Sequence, residues 1–153
     1  MCALARTTPS TFIFMGGDAC HHCGSLRPTE YIPLPDELCP SPLSSPPHAP
    51  GTVCPGSLLE DIHPHKSKTV PFYKNLSPAP DRNVPAAEET ISKVTDFDAS
   101  DNVFVVIAHD TSLLDVIDFY PKKANQWQEK GWKKAGQWRF LEDFQNAVRT
   151  FEN

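Results

Sequence analysis

Uninterrupted apolar runs occur at two places in this chain, one on each side of a long proline-broken stretch. The first, Thr11-Phe12-Ile13-Phe14-Met15, is β-branched, aromatic or large and apolar throughout, which predicts a buried strand. Gly16-Gly17 ends it, and the missing side chains allow a tight turn before Asp18. Ala3 to Thr8 reads as an antiparallel partner, with Thr7-Thr8-Pro9-Ser10 as the turn, so a hairpin is expected to open the chain. The second run, Val103 to Ala108, is the clearest strand, and its continuous apolarity predicts that both faces are covered. Ahead of it, Ala86 to Phe97 spaces Ile91, Val94 and Phe97 as a helix packed on a sheet does, and Asp98 to Asn102 reads as a polar turn. Helix, turn and buried strand make an α/β unit.

Between the runs, from Arg27 to Pro85, the pattern changes. Ile32-Pro33-Leu34-Pro35 and the run from Cys39 to Pro47 cannot sustain a helix or a central strand, which predicts a surface excursion or a linker. One island, Gly56 to Ile62, predicts a short helix capped by Ser57 with Glu60 three residues on. After His109-Asp110, Thr111 or Ser112 is placed to cap a short helix through Leu113, Leu114, Val116 and Ile117. Trp127, Trp132 and Trp138 stand in a Lys-rich segment expected to fold back on the body. Phe140 to Phe151 predicts a last helix with Phe140, Leu141, Phe144, Val148 and Phe151 on its apolar side.

Composition changes this picture only locally. At 153 residues there is room for one domain with a core, and the 39% apolar share is low for a globular chain. Most of the 16 prolines cluster between Pro28 and Pro85, so the shortage is regional. A net charge of -5 argues against nucleic acid, and the lysines at 122, 123, 130, 133 and 134 are diluted by Glu129, Glu142 and Asp143 into a solvated face. No apolar run is long enough to cross a bilayer, and Met1 to Arg6 lacks the features of a signal peptide. Five cysteines, an odd number, without a secretion signal predict reduced thiols and a cytoplasmic chain.

The residues that end the two runs carry the candidate chemistry. An isolated Asp after Gly-Gly ordinarily caps a helix or holds a turn, and a lone strand-end His is ordinarily a hydrogen-bonded one. Asp18 and His109 gain interest together, because both stand at the C-terminal tips of apolar strands, where α/β proteins build their sites. A carboxylate there can bridge cations and a neutral imidazole can ligate one. Cys20-His21-His22-Cys23 could open a zinc knuckle with Cys39 and Cys54, but these lie at no recognised spacing. No Gly-x-Ser-x-Gly and no phosphate-cradling glycine loop occurs.

Strand-Gly-Gly-Asp-Ala, a long insertion, then helix-turn-strand-Ala-His-Asp resembles the C-terminal half of a metallo-β-lactamase-fold hydrolase of the fungal, lactonase-like group. Cys54-Pro55-Gly56-Ser57-Leu58-Leu59 and the tail from Trp132 to Phe144 extend the likeness. The resemblance implies an α/β fold, with residues 1–153 as the C-terminal sheet-and-helix layer of an αββα sandwich carrying a Pro-rich insertion at about 27–85. It implies Asp18 as a bridge between two zinc ions and His109 as a ligand of the second. It also implies hydrolysis of an ester, lactone or amide by metal-activated water, and places the loop after Asp18, with His21 and His22, at the mouth of the site.

The family's His-x-His-x-Asp-His motif is nowhere in the sequence, and His63-Pro64-His65 lacks the Asp-His that would follow. A catalytic zinc takes three protein ligands and water. Asp18 and His109 supply two, so the chain alone is expected to bind zinc weakly or not at all and to be inactive. It reads as a truncated product that meets a small-molecule substrate only when completed by a complementary N-terminal half. The alternative is a non-catalytic interaction module that pairs, with itself or a partner, through an exposed half-core including Phe12, Phe14 and Phe104 or Val105. A third reading is a small zinc domain built on Cys20 and Cys23. Neither nucleic acid nor membrane is expected as a partner.

Overall fold

The computed structural model describes residues 1–74, 76 and 83–151, the last three by backbone alone. Elements in chain order are β1 (Ala3–Arg6), β2 (Phe12–Gly17), β3 (Glu37–Leu38), β4 (Cys54–Pro55), α1 (Gly56–Ile62), α2 (Val84–Ala99), β5 (Val103–Ile107), α3 (Trp132–Gly136) and α4 (Gln145–Phe151), with short 3₁₀ turns between. The mixed α/β arrangement has β2 at the centre of a three-stranded sheet, antiparallel to β1 and parallel to β5. In that register Leu4 pairs with Phe14 and Phe14 with Val105, so alternate residues of all three strands share a face. The opening hairpin closes through the amides of Thr7 and Thr8, which donate to the Thr11 carbonyl at 2.9 and 3.3 Å.

One face lies under α2. Val94 is buried against Phe14, Val103, Val105 and Ile107, and Phe97 stacks on Phe14 with ring centroids 4.6 Å apart. The same core takes in Leu34, Cys54, Leu59 and Phe72 from the proline-rich stretch, together with Phe140 and Leu141. That stretch is short of strand because its prolines lack amide donors. Its remaining amides reach across the fold instead: Leu34 donates to Lys68 O at 2.8 Å, Gly56 to Asp36 O at 2.7 Å and Tyr73 to Gly24 O at 3.0 Å. Residues 75 and 77–82 of the expected insertion lie outside the described residues.

The other face of β5 is covered too. Phe104 is buried with Leu113, Trp127 and Trp132, and Trp127 stacks on it at 5.6 Å while its indole N–H donates to Thr7 Oγ1 at 3.1 Å. The tryptophan segment therefore folds back as expected. This corrects the expected half-core: Phe14, Phe104 and Val105 are buried within the chain and Phe12 is half-buried, because α2 covers the face of Phe14 and Val105 and the segment after β5 covers that of Phe104. Exposed apolar side chains on the sheet are Leu4 and Met15, toward the β1 edge.

Element ends also differ from expectation. α1 begins at Gly56 with Pro55 as its N-cap and no side-chain cap bond, so Ser57 does not cap it. α2 starts earlier, where the Asn83 side chain accepts from the Ala86 amide, and runs through Asp98, which is buried rather than part of a polar turn. The expected last helix divides into a 3₁₀ stretch, Arg139–Phe144, and α4, and the Phe151 side chain lies outside the described residues. The segment after His109 makes a 3₁₀ turn over Thr111–Leu113 with Asp110 at its N-cap.

Candidate metal centre

The end of the sheet brings Asp18 and His109 side by side. The Ala108 amide donates to Gly17 O at 2.9 Å, carrying the parallel pairing one step past β5. Pairing slips between Met15 and Gly17, a bulge that re-aims the chain. Gly17 sits at φ +53° with the Met1 carbonyl 3.0 Å from where a Cβ would stand, so glycine is required there. His109 is also left-handed, at φ +69°. A non-glycine residue there stores strain of order 1–2 kcal/mol, so surrounding contacts must hold it. Those contacts come from the next residue: the Asp110 carboxylate accepts from the Cys23 thiol at 3.2 Å and from the Ser112 hydroxyl at 2.6 Å.

His109 Nε2 lies 3.1 Å from Asp18 Oδ1. His21, brought back over Asp18 by a turn in which the Ala19 amide donates to Gly16 O at 3.1 Å, places its Nε2 3.6 Å from the same oxygen. The two rings meet edge to face at 5.1 Å, and the three donor atoms all lie within 4.8 Å of one another. Bonds of about 2.1 Å to zinc set neighbouring donors roughly 3.0–3.4 Å apart. The separations from Asp18, 3.1 and 3.6 Å, lie near that range, and two imidazoles with a carboxylate are a donor set divalent transition metals accept. All three side chains are exposed, at 65–71%, so the site faces solvent. A cavity of about 520 Å³ adjoins it, lined by Asp18, His21, His22, Tyr73, Leu76 and Ile91 among others.

Sequence reasoning put Asp18 and His109 at one end of the sheet, where the structure brings them together, but did not bring His21 to join them. His21 was legible as the third residue after Asp18; what was not legible was that the turn closes on itself. His22, its neighbour, turns away. Its Nδ1 accepts from the Gly24 amide at 2.9 Å, so Nε2 carries the proton and donates to Asp143 at 3.1 Å, and its ring packs on Tyr73 and Phe140.

The cysteine reading gains no support from the structure. Burial pushes the Cys20 thiol up to about 11 and raises Cys23 well above its ordinary range. Among the described residues no group of three or more candidate ligands includes a cysteine, and all five are free.

Comparison with known proteins gives this geometry its context. The chain is 44% identical over 147 residues to gamma-lactamase FDB1 of Fusarium pseudograminearum, covering 94% of this chain and 35% of that protein. It is 43% identical over 159 residues to metallo-hydrolase mfmC of Annulohypoxylon moriforme, covering all of this chain and 39% of the relative. This chain is thus similar to part of a fungal gamma-lactamase and to part of a fungal metallo-hydrolase. A third match, 40% over 148 residues, is to the cytochrome P450 monooxygenase mpaDE' of Penicillium brevicompactum, where the shared part is 15% of the protein. The chain thus spans well under half the length of these relatives. Neither a family model nor a solved structure matches it. The metallo-hydrolase relative agrees with the metallo-β-lactamase resemblance, and among the described residues no helix is long and apolar enough to cross a membrane.

Proposed function

We propose that this chain is the C-terminal sheet-and-helix layer of an αββα metallo-β-lactamase-like domain, and that the complete domain is a zinc-dependent hydrolase of esters, lactones or amides. The observation that carries the reading is the meeting of Asp18 and His109 at 3.1 Å on the tips of adjacent parallel strands. The relatives of which this chain makes up the larger share are named as a gamma-lactamase and a metallo-hydrolase, which favours a cyclic amide as the first substrate to test.

Asp18 and His109 hold metal in this proposal, with two zinc ions in the complete domain. Zinc, when bound, supplies Lewis acidity toward a carbonyl oxygen and activates water for attack. Asp110, Cys23 and Ser112 fix the backbone turn that presents His109. Leu76 and Ile91 give the adjoining cavity an apolar wall against which a ring can lie, and Tyr73 offers a phenol there. The remaining ligands come from a complementary half carrying His-x-His-x-Asp-His, and the chain alone is inactive. Five free thiols support a cytoplasmic setting.

Coexpression with the N-terminal portion of a gamma-lactamase relative tests this. A stable complex that opens a γ-lactam only with zinc, and loses that activity with Asp18→Ala, is the expected result. A stable complex whose turnover is indifferent to Asp18→Ala and His109→Ala would sink it.

A further inference from the structure

We propose that His21 is a third metal ligand, and that Asp18, His21 and His109 together bind one divalent transition-metal ion per chain without any second half. This rests on the reading above only in taking Asp18 and His109 as ligands. The family resemblance puts those two on ligand positions and leaves His21 as a residue at the mouth of the site.

The geometry supports a ligand role for His21 on three counts. Its Nε2 converges with that of His109 on one carboxylate oxygen, at 3.6 and 3.1 Å. Among the described residues neither Nε2 has another hydrogen-bond or ion-pair partner. One carboxylate oxygen can accept from both imidazoles, and with both deprotonated at Nε2 the same convergence presents three lone-pair donors to a single cation. The backbone, moreover, is already arranged for the cluster, by Gly17 at φ +53° and His109 at φ +69°. Finally, two nitrogens and one oxygen with open positions beyond them form the set used by catalytic zinc and by mononuclear iron(II) sites, and not the all-oxygen set that calcium or magnesium prefers. The chain is therefore expected to take zinc or cobalt(II) and to ignore magnesium.

The test is calorimetric titration of the dialysed chain with zinc chloride, beside cobalt(II) chloride followed by its visible absorption bands. One equivalent is expected to bind, with affinity reduced at least tenfold by each of Asp18→Ala, His21→Ala and His109→Ala. His65→Ala, an exposed histidine elsewhere, is expected to change nothing. Since His21 is exposed in a loop, circular dichroism of His21→Ala should match wild type. Binding that survives His21→Ala unchanged but is lost with Asp18→Ala and His109→Ala overturns this inference and leaves the two-ligand reading standing. Wild-type chain that takes up no ion overturns the claim that three ligands suffice, while the coexpression experiment still decides the hydrolase reading. Binding indifferent to all three substitutions overturns both.

Discussion

At the scale of single residues, the histidines show how hydrogen bonding divides one residue type into different roles. His63 is 1% exposed, and its Nδ1 accepts from the His65 amide at 3.0 Å while Nε2 donates to Val70 O at 2.8 Å. A second proton on Nδ1 would break the first bond inside the core, and burial lowers the pKa below the ordinary value of 6.5. His48 is lowered as well, by burial and by the charge of Arg139, against the opposing pull of Glu142. The sign follows: the unfolded chain protonates first as pH falls, so it binds more protons and stability declines below about 6.5. Urea midpoints are expected to drop between pH 7.5 and pH 5.5, and His63→Gln to flatten that slope while lowering the midpoint at pH 7.5. An unchanged slope in His63→Gln would show that His63 does not titrate across folding.

Between elements, the strongest tie is one that patterning could not reveal. Arg27, from the first residue of the proline-rich stretch, donates to both carboxylate oxygens of Asp98 at 2.6 and 2.7 Å, and its third contact is Gln137 O at 2.6 Å. The Asp98 charge holds Arg27 protonated despite its burial. Lys133 completes the junction by donating to the carbonyls of Asp98, Ser100 and Val103, which close the end of α2 and the start of β5. Removing one partner of a buried pair leaves the other charge uncompensated, a loss of about 3–5 kcal/mol. Asp98→Ala is therefore expected to lower unfolding free energy by that order in urea titration, and Arg27→Met with Asp98→Leu to recover much of it. Equal loss in the single and double variants would mean that packing, not charge, is what Asp98 contributes. From the sequence Asp98 belonged to a polar turn, since a buried carboxylate is recognisable only once its arginine, distant along the chain, is in place.

Across the whole molecule, the segment after β5 decides whether the sheet stands as a core or as an open surface. Trp127 is 1% exposed, and its indole is anchored to Thr7 while its ring covers Phe104. Trp127→Ala is expected to destabilise the fold by about 3–5 kcal/mol, read as a lower urea midpoint, and to raise binding of an apolar dye through Phe104. An unaltered midpoint would mean that this face is not part of the cooperative core. Local signals were enough for β1, β2, α2 and β5, because strand and helix periods are written in neighbouring side chains. They were also enough to put Asp18 and His109 at strand tips. Tertiary structure alone decided three things: that Trp127 and Trp132 close the second face, that Arg27 pairs with Asp98, and that His21 returns to meet Asp18 and His109. Each depends on where the backbone travels between distant or tightly turned residues, and no periodicity in the sequence encodes that path.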